Sequence, residues 1–279
     1  MARGAEEIAA ASERNRMVAE PYTKLMCSFP TVDLAAALVV TPAHLARRPA
    51  IRPLAIVRSP EAGPPSVWAE MDRPAALHMA VGEAFRLSAT TPDDAGAFDL
   101  YSCFPAAVLA AADALGLGAD DPRRLTASGG LPYFGGPGAS YSLHGLACLF
   151  EDMRCGRFDS GRTAVAVGGG GMLTDFSVGV YGFDGTPFRR AELPGPEHAA
   201  VAVTPVADGP AVVEAMTVLH DRDRGPVEAP VIARLPSGAR TGARCADPDM
   251  AGALAGRSLV GSEVELATVG NRVCYRLPS

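Results

Sequence analysis

No apolar run in this chain is long enough to cross a bilayer, and charged residues interrupt every hydrophobic stretch. The opening segment MARGAEEIAAASERNRM is charged and has no apolar signal core, so nothing there marks secretion. The expectation is a cytoplasmic protein without membrane contact. Lysine is scarce, arginine is the dominant cation, and the formal net charge is −6. That balance argues against non-specific nucleic-acid binding. It leaves room for a small anionic ligand, because a local pocket can be basic on an acidic protein. None of the six cysteines, Cys27, Cys103, Cys148, Cys155, Cys245 and Cys274, forms a CxxC pair, and no histidine stands at metal-ligand spacing from them. They read as buried or free thiols in a reducing compartment, with neither a metal nor a disulfide role.

The chain has 279 residues, 48% of them hydrophobic, which is enough for one large domain or two ordinary ones. A short helical pattern opens the chain, followed by a loop around Glu20-Pro21. Asp33 to Thr41 (DLAAALVVT) reads as a buried strand, and Ile51 to Ser59 as another. Pro74 opens a helix. Phe98 to Tyr101 is extended and leads into an Ala/Leu-rich helix from Pro105, closed by glycine. A Gly/Pro-rich loop from Gly129 to Gly138 precedes a helix over Tyr141 to Met153. Thr163 to Val167 is a strand ending in Gly168 to Gly171, and Phe176 to Tyr181 is the next strand. This alternation is the α/β signature.

After a linker-like stretch from Pro187 to Pro196 the texture changes. AAVAVTPV from Ala199, AVVEAMTVL, APVIARL and EVELATV are strand-like runs, and Asp247 to Ala255 is a short helix. The expectation is an α/β domain over residues 1–190 and a small all-β barrel or sandwich over 191–279. Tyr275 is the one aromatic residue after 198, and no lysine occurs there, so nucleic acid is not expected as a partner of that barrel.

Three stretches carry a resemblance: NRMVAEPYTKLMCSFPTVDLAAALVVT (15–41), FDLYSCFPAAVLAAADALGL (98–117), and SGGLPYFGGPGASYSLHGLA (128–147) followed by AVAVGGGGMLTDFSVGVY (164–181). Their order and wording resemble the C-terminal half of thiolases, and most closely the acetyl-CoA acetyltransferase-like proteins known as thiolase-like protein type 1. The resemblance implies a thiolase-type half-domain, a mixed sheet covered by helices, followed by an additional OB-like domain. It also implies acyl-CoA chemistry in lipid metabolism, with coenzyme A thioester as substrate or ligand and no resident cofactor.

The resemblance is equally informative in what it lacks. The half that carries a thiolase's nucleophilic cysteine has no counterpart here. Tyr101 stands where an asparagine of an NEAF-like motif is expected. Gly136, within Gly135-Gly136-Pro137, stands where the histidine of a GHP motif is expected. Val167 to Gly171 contains no cysteine where CxGGG supplies one. Claisen condensation needs a base beside the thioester and donors aimed at the enolate oxygen, and glycine offers only backbone N–H. The expectation is a protein that binds an acyl thioester or a partner without thiolase turnover alone. The alternatives are one subunit of a split acyltransferase completed by a separate N-terminal half, or a stand-alone acyltransferase.

The stand-alone reading would use Cys103 as nucleophile and His144 as its partner. Tyr101, Gly135, Gly136, Gly169, Gly170 and Gly171 are candidates for lining a thioester pocket, against the plainer reading that the glycines are turns of the fold. Tyr133, Tyr141 and Asp175 stand beside them. The helices at Pro105 and Tyr141 are too apolar for two solvated faces, so a homo-oligomer or a separate half-domain subunit is expected to cover them.

Overall fold

The computed structural model describes residues 3–46, 49–158, 162–183, 187–197, 200–247 and 249–278. In chain order the elements are α1 (Ala5–Ala9), β1 (Met17–Ala19), β2 (Tyr22–Thr23), β3 (Arg52–Pro60), α2 (Ala75–Ser88), β4 (Ala95–Leu100), α3 (Pro105–Ala114), α4 (Leu131–Phe134), α5 (Tyr141–Arg154), β5 (Thr163–Gly170), β6 (Asp175–Gly182) and β7 (Arg189–Glu192). There follow β8 (Gly209–Met216), β9 (Leu219–Asp221), β10 (Gly225–Glu228), β11 (Val231–Arg234), β12 (Arg240–Cys245), α6 (Met250–Leu254), β13 (Glu263–Val269) and β14 (Arg272–Arg276). No helix among the described residues is long and apolar enough to cross a membrane.

The chain divides into two compact units. One comprises Cys27–Pro65 and Glu70–His198; the other comprises Met1–Met26, Ser66–Ala69 and Ala199–Ser279. The first is a mixed α/β unit around a five-stranded sheet of order β4-β5-β6-β3-β7. β4 and β5 run parallel, as do β3 and β7, while the β5–β6 and β6–β3 pairs are antiparallel.

The side-chain period of two sorts β4 and β5 cleanly. Phe98, Leu100, Val165 and Val167 join Leu77, Ala80, Val81 and Ala84 of α2 and Ala111 of α3 in one core. The intervening Ala97 and Ala164 face the other way and meet Leu149 and Met153 of α5. Bulky residues on one face and alanines on the other let α5 lie close to the sheet. α2 begins directly after Pro74 and lays a stripe of Ala76, Leu77, Ala80, Val81, Ala84 and Phe85 on that core.

The second unit holds a closed five-stranded barrel, β11-β12-β14-β13-β8, and a small antiparallel sheet, β10-β9-β1-β2. Within the barrel β12 and β14 pair in parallel and the other pairs are antiparallel. Val213, Val231, Ala233, Val264, Leu266, Val273 and Tyr275 fill its interior together with Leu254 of α6. Arg240, 2% exposed, donates to the carbonyls of Ser66, Trp68 and Ala69 and to the Glu214 carboxylate, so its buried charge is fully engaged.

Several expectations are corrected. The run Asp33 to Thr41 forms no strand. It pairs with nothing in a ladder, and Val39 and Val40 are 92% and 94% exposed. The linker-like Pro187 to Pro196 contains β7, which pairs in parallel on the exposed side of β3. The glycines after Val167 are not a loop: Gly168 to Gly170 continue β5 opposite Ser177, Phe176 and Asp175. Ala199 lies outside the described residues, and the rest of that run contributes only an isolated bridge between Val203 and Arg240. The short strands β9, β10, β12 and β14 are polar or interrupted and carry no apolar run to announce them.

Candidate functional site

The carboxyl ends of the parallel strands β4 and β5 lie side by side, the place where open α/β sheets gather ligands. Tyr101, Ser102 and Cys103 leave β4 there and run into α3, whose first turn opens on Pro105. The Tyr101 N–H donates to the Val167 carbonyl at 3.0 Å, holding this link beside β5. The Tyr101 ring covers Gly169: a side-chain carbon at Gly169 would lie 2.8 Å from Tyr101 Cδ1. Gly170 meets only ordinary contacts, and Gly171 begins the turn to β6 beside Thr174.

Tyr101 stands edge-on to Tyr141, with ring centroids 6.3 Å apart. Tyr141 is buried at the start of α5, and its hydroxyl lies 2.9 Å from Ser128 Oγ and 3.3 Å from Ser102 Oγ. Ser102 Oγ in turn accepts from the Leu131 N–H at 3.1 Å. Burial, with the Asp99 carboxylate second, pushes the Tyr141 phenol up to about 12, so it stays a neutral hydrogen-bonding group.

Asp99 lies beneath this set. It is 3% exposed and accepts from the Ala127 N–H at 2.9 Å and from the Ser128 N–H. Burial pushes its carboxyl up to about 6, against the pull of those two amides. Gly145 of α5 sits directly over it, and any side chain at Gly145 would run into the carboxylate. Asp99 belongs to no motif in the sequence. The signal was a lone acid inside the apolar strand AFDL.

Cys103 is half-buried. Its thiol is pushed up by burial and bonds the Tyr101 side chain, and its carbonyl accepts from the Ser28 N–H at 3.0 Å. His144 lies one turn into α5, buried, with its ring 5.3 Å from that of Phe134 and its Nε2 without a hydrogen-bond partner. Among the described residues no hydrogen bond joins Cys103 to His144. No group of three or more His, Cys, Asp or Glu among them could hold a metal ion.

Gly130 and Gly135 bracket the single turn α4 with φ/ψ of 89°/158° and 96°/154°, a region essentially reserved for glycine. A side-chain carbon at Gly135 would lie 2.5 Å from Val32 Cγ2, and one at Gly136 would lie 2.5 Å from Leu131 Cδ2. Tyr133 is 45% exposed. Asp175 pairs with Arg58 across the β3–β6 ladder.

Residues 195–271 match the family model described as the thiolase-like protein type 1 additional C-terminal domain. Over 99% of its length the chain is similar to the solved structure of a monomeric SCP2-thiolase like protein type 1 from Mycobacterium smegmatis, with 28% sequence identity and a TM-score of 0.82. The chain spans 62% of that protein's length. No curated protein matches. Together these likenesses support a thiolase-like protein, and more particularly one with an additional C-terminal domain.

Proposed function

We propose that this chain is a thiolase-fold protein that binds an acyl thioester or a partner subunit and does not carry out thiolase turnover alone. The observation that carries the reading is the packing at Gly136. The space a side chain would need is filled by Leu131, itself buried, so the position that the resemblance assigns to the catalytic histidine lacks both that residue and the room for it. Gly168 and Gly169 add support: both lie in a strand, with Ser177 Oγ and Tyr101 against the places where their side chains would begin. Without that acid and base, loss of even one oxyanion donor would already lower the rate by about 10²–10³.

The test is thiolysis of acetoacetyl-CoA and condensation of acetyl-CoA by the purified chain, with acetyl-CoA binding measured by calorimetry alongside. Binding without turnover is expected. Turnover that survives Cys103→Ala would refute the reading, whereas turnover lost in that variant would move the chemistry to Cys103.

A second reading, a role as one subunit of a split acyltransferase, rests on apolar side chains that the α/β unit leaves exposed. Phe104 and Leu109 of the α3 region are 42% and 68% exposed, and Val39 and Val40 are exposed as well, apolar side chains that a covering half-domain or a second copy would bury.

The C-terminal barrel reads as an OB-like module. Taken as strands one to five, β8, β11, β12, β13 and β14 close in the order one-two-three-five-four, with strands three and five parallel and α6 between three and four. Its single aromatic residue, Tyr275, is fully buried, which favours packing over nucleic-acid binding.

A further inference from the structure

The first turn of α5 presents groups that the thioester reading does not use. α5 is fourteen residues long, and Ser140 at its start contributes no side-chain cap. The Leu143 and His144 amides turn back to the Ser140 carbonyl, so the Tyr141 and Ser142 amides precede the first bond of the helix. Ser142 is exposed, and Gly138 and Ala139 before it are open to solvent. His144 is the second, independent feature. It is 6% exposed, and its Nε2 has no hydrogen-bond partner. Helical side chains lean toward the N-terminus of their helix, and the contact of this imidazole with Phe134, which precedes α5 in the chain, fits that direction. An unpaired buried ring nitrogen is costly to leave unsatisfied, and the partly buried Phe134 ring on the single turn α4 lies against this imidazole.

We propose that His144 Nε2 and the first turn of α5 form a site for a carbonyl-type oxygen, either of a small monocarboxylate or of an acyl group, with Phe134 as its cover. The helix end favours an acceptor carrying partial or single negative charge. Asp99, directly beneath Gly145, sets the upper limit on that charge. A second carboxylate under the same turn repels a multiply charged anion, so a phosphate dianion is disfavoured. In the tautomer with its proton on Nε2, His144 donates to the bound oxygen alongside the helix amides.

The test uses the full chain with ¹⁵N-labelled histidine, following the imidazole nitrogens by long-range ¹H–¹⁵N correlation. His144 is assigned by comparison with His144→Gln. Sodium acetate, acetyl-CoA and inorganic phosphate are titrated separately at constant ionic strength. The expected result is a saturable shift of His144 Nε2 with acetate, with acetyl-CoA, or with both, and none with phosphate. Phe134→Ala, which removes the cover without touching the imidazole, is expected to change the midpoint of that titration. A shift with acetate but not acetyl-CoA would support the site while sinking the thioester reading. Calorimetric binding of acetyl-CoA that leaves His144 unmoved would overturn the site while leaving the thioester reading intact. No shift with either oxygen ligand, or a larger one with phosphate, would overturn the proposal.

Discussion

Replacing Asp99 with asparagine is expected to stabilise the α/β unit at neutral pH, although it removes one of that unit's few buried charges. In the unfolded chain this carboxyl titrates near its ordinary 3.8; in the folded protein burial raises it to about 6. Between those values the folded state holds more protons than the unfolded state, so this group's contribution to stability falls as pH rises through that window. Above it, the cost of keeping a buried carboxylate is about 3 kcal/mol, from a shift of about two units at about 1.4 kcal/mol each. Asparagine keeps one acceptor oxygen for the amides of Ala127 and Ser128 and loses the second, which returns about 1 kcal/mol to the wild type. The net gain for Asp99→Asn is therefore about 2 kcal/mol at pH 7.5, shrinking to nothing or slightly reversing near pH 4. Trp68 belongs to the other compact unit, so its fluorescence would report the wrong transition. Native-state hydrogen exchange at the β4 and β5 amides, for example Leu100 and Val165, reads the α/β unit directly. A variant less stable than the wild type at pH 7.5, or a difference that stays constant from pH 4 to pH 8, would show that Asp99 acts by another route.

Further expectations concern packing and assembly. Gly145→Ala should destabilise the same unit by about 3 kcal/mol or more, since the added methyl meets the Asp99 carboxylate under a helix held close to the sheet; urea unfolding followed by tyrosine near-UV dichroism measures it. Gly135→Ala should cost about 2–3 kcal/mol in the same assay, because it combines a glycine-only backbone conformation with a clash on Val32. Arg240→Ala should destabilise the barrel unit by about 3–5 kcal/mol, leaving three carbonyls without their donor and Glu214 with Arg234 alone; Trp68 fluorescence is the appropriate probe. Light scattering on the purified chain should give a mass above that of one 28.8 kDa chain. A well-behaved monomer at micromolar concentration would argue against a covering partner.

Much of this protein is determined locally, and there the sequence is legible by itself. The helices α2, α3 and α5 follow from proline at or just before the first turn of α2 and α3 and from apolar stripes. β3, β4, β6 and β13 follow from β-rich runs bounded by turn residues. The wording of three segments carries the thiolase likeness.

Only the tertiary structure decides where non-local pairing goes. The apolar run Asp33 to Thr41 has the local marks of a strand and stays outside every ladder, because local preference supplies no partner strand. Arg189 to Glu192, polar and flanked by prolines, becomes a strand because β3 offers it an edge. Met17 to Ala19 pairs with Leu219 to Asp221 across almost two hundred residues, a contact that no local period encodes. The candidate site divides in the same way. Cys103, Tyr101 and the glycines stand out by residue type. Asp99 under Gly145, the Tyr141 hydroxyl between Ser102 and Ser128, and the unpaired nitrogen of His144 depend on α5 lying close over the alanines of β4 and β5. Backbone preference acts over one turn or one ladder step, whereas burial and hydrogen-bond satisfaction are set by whichever distant segments the fold brings together.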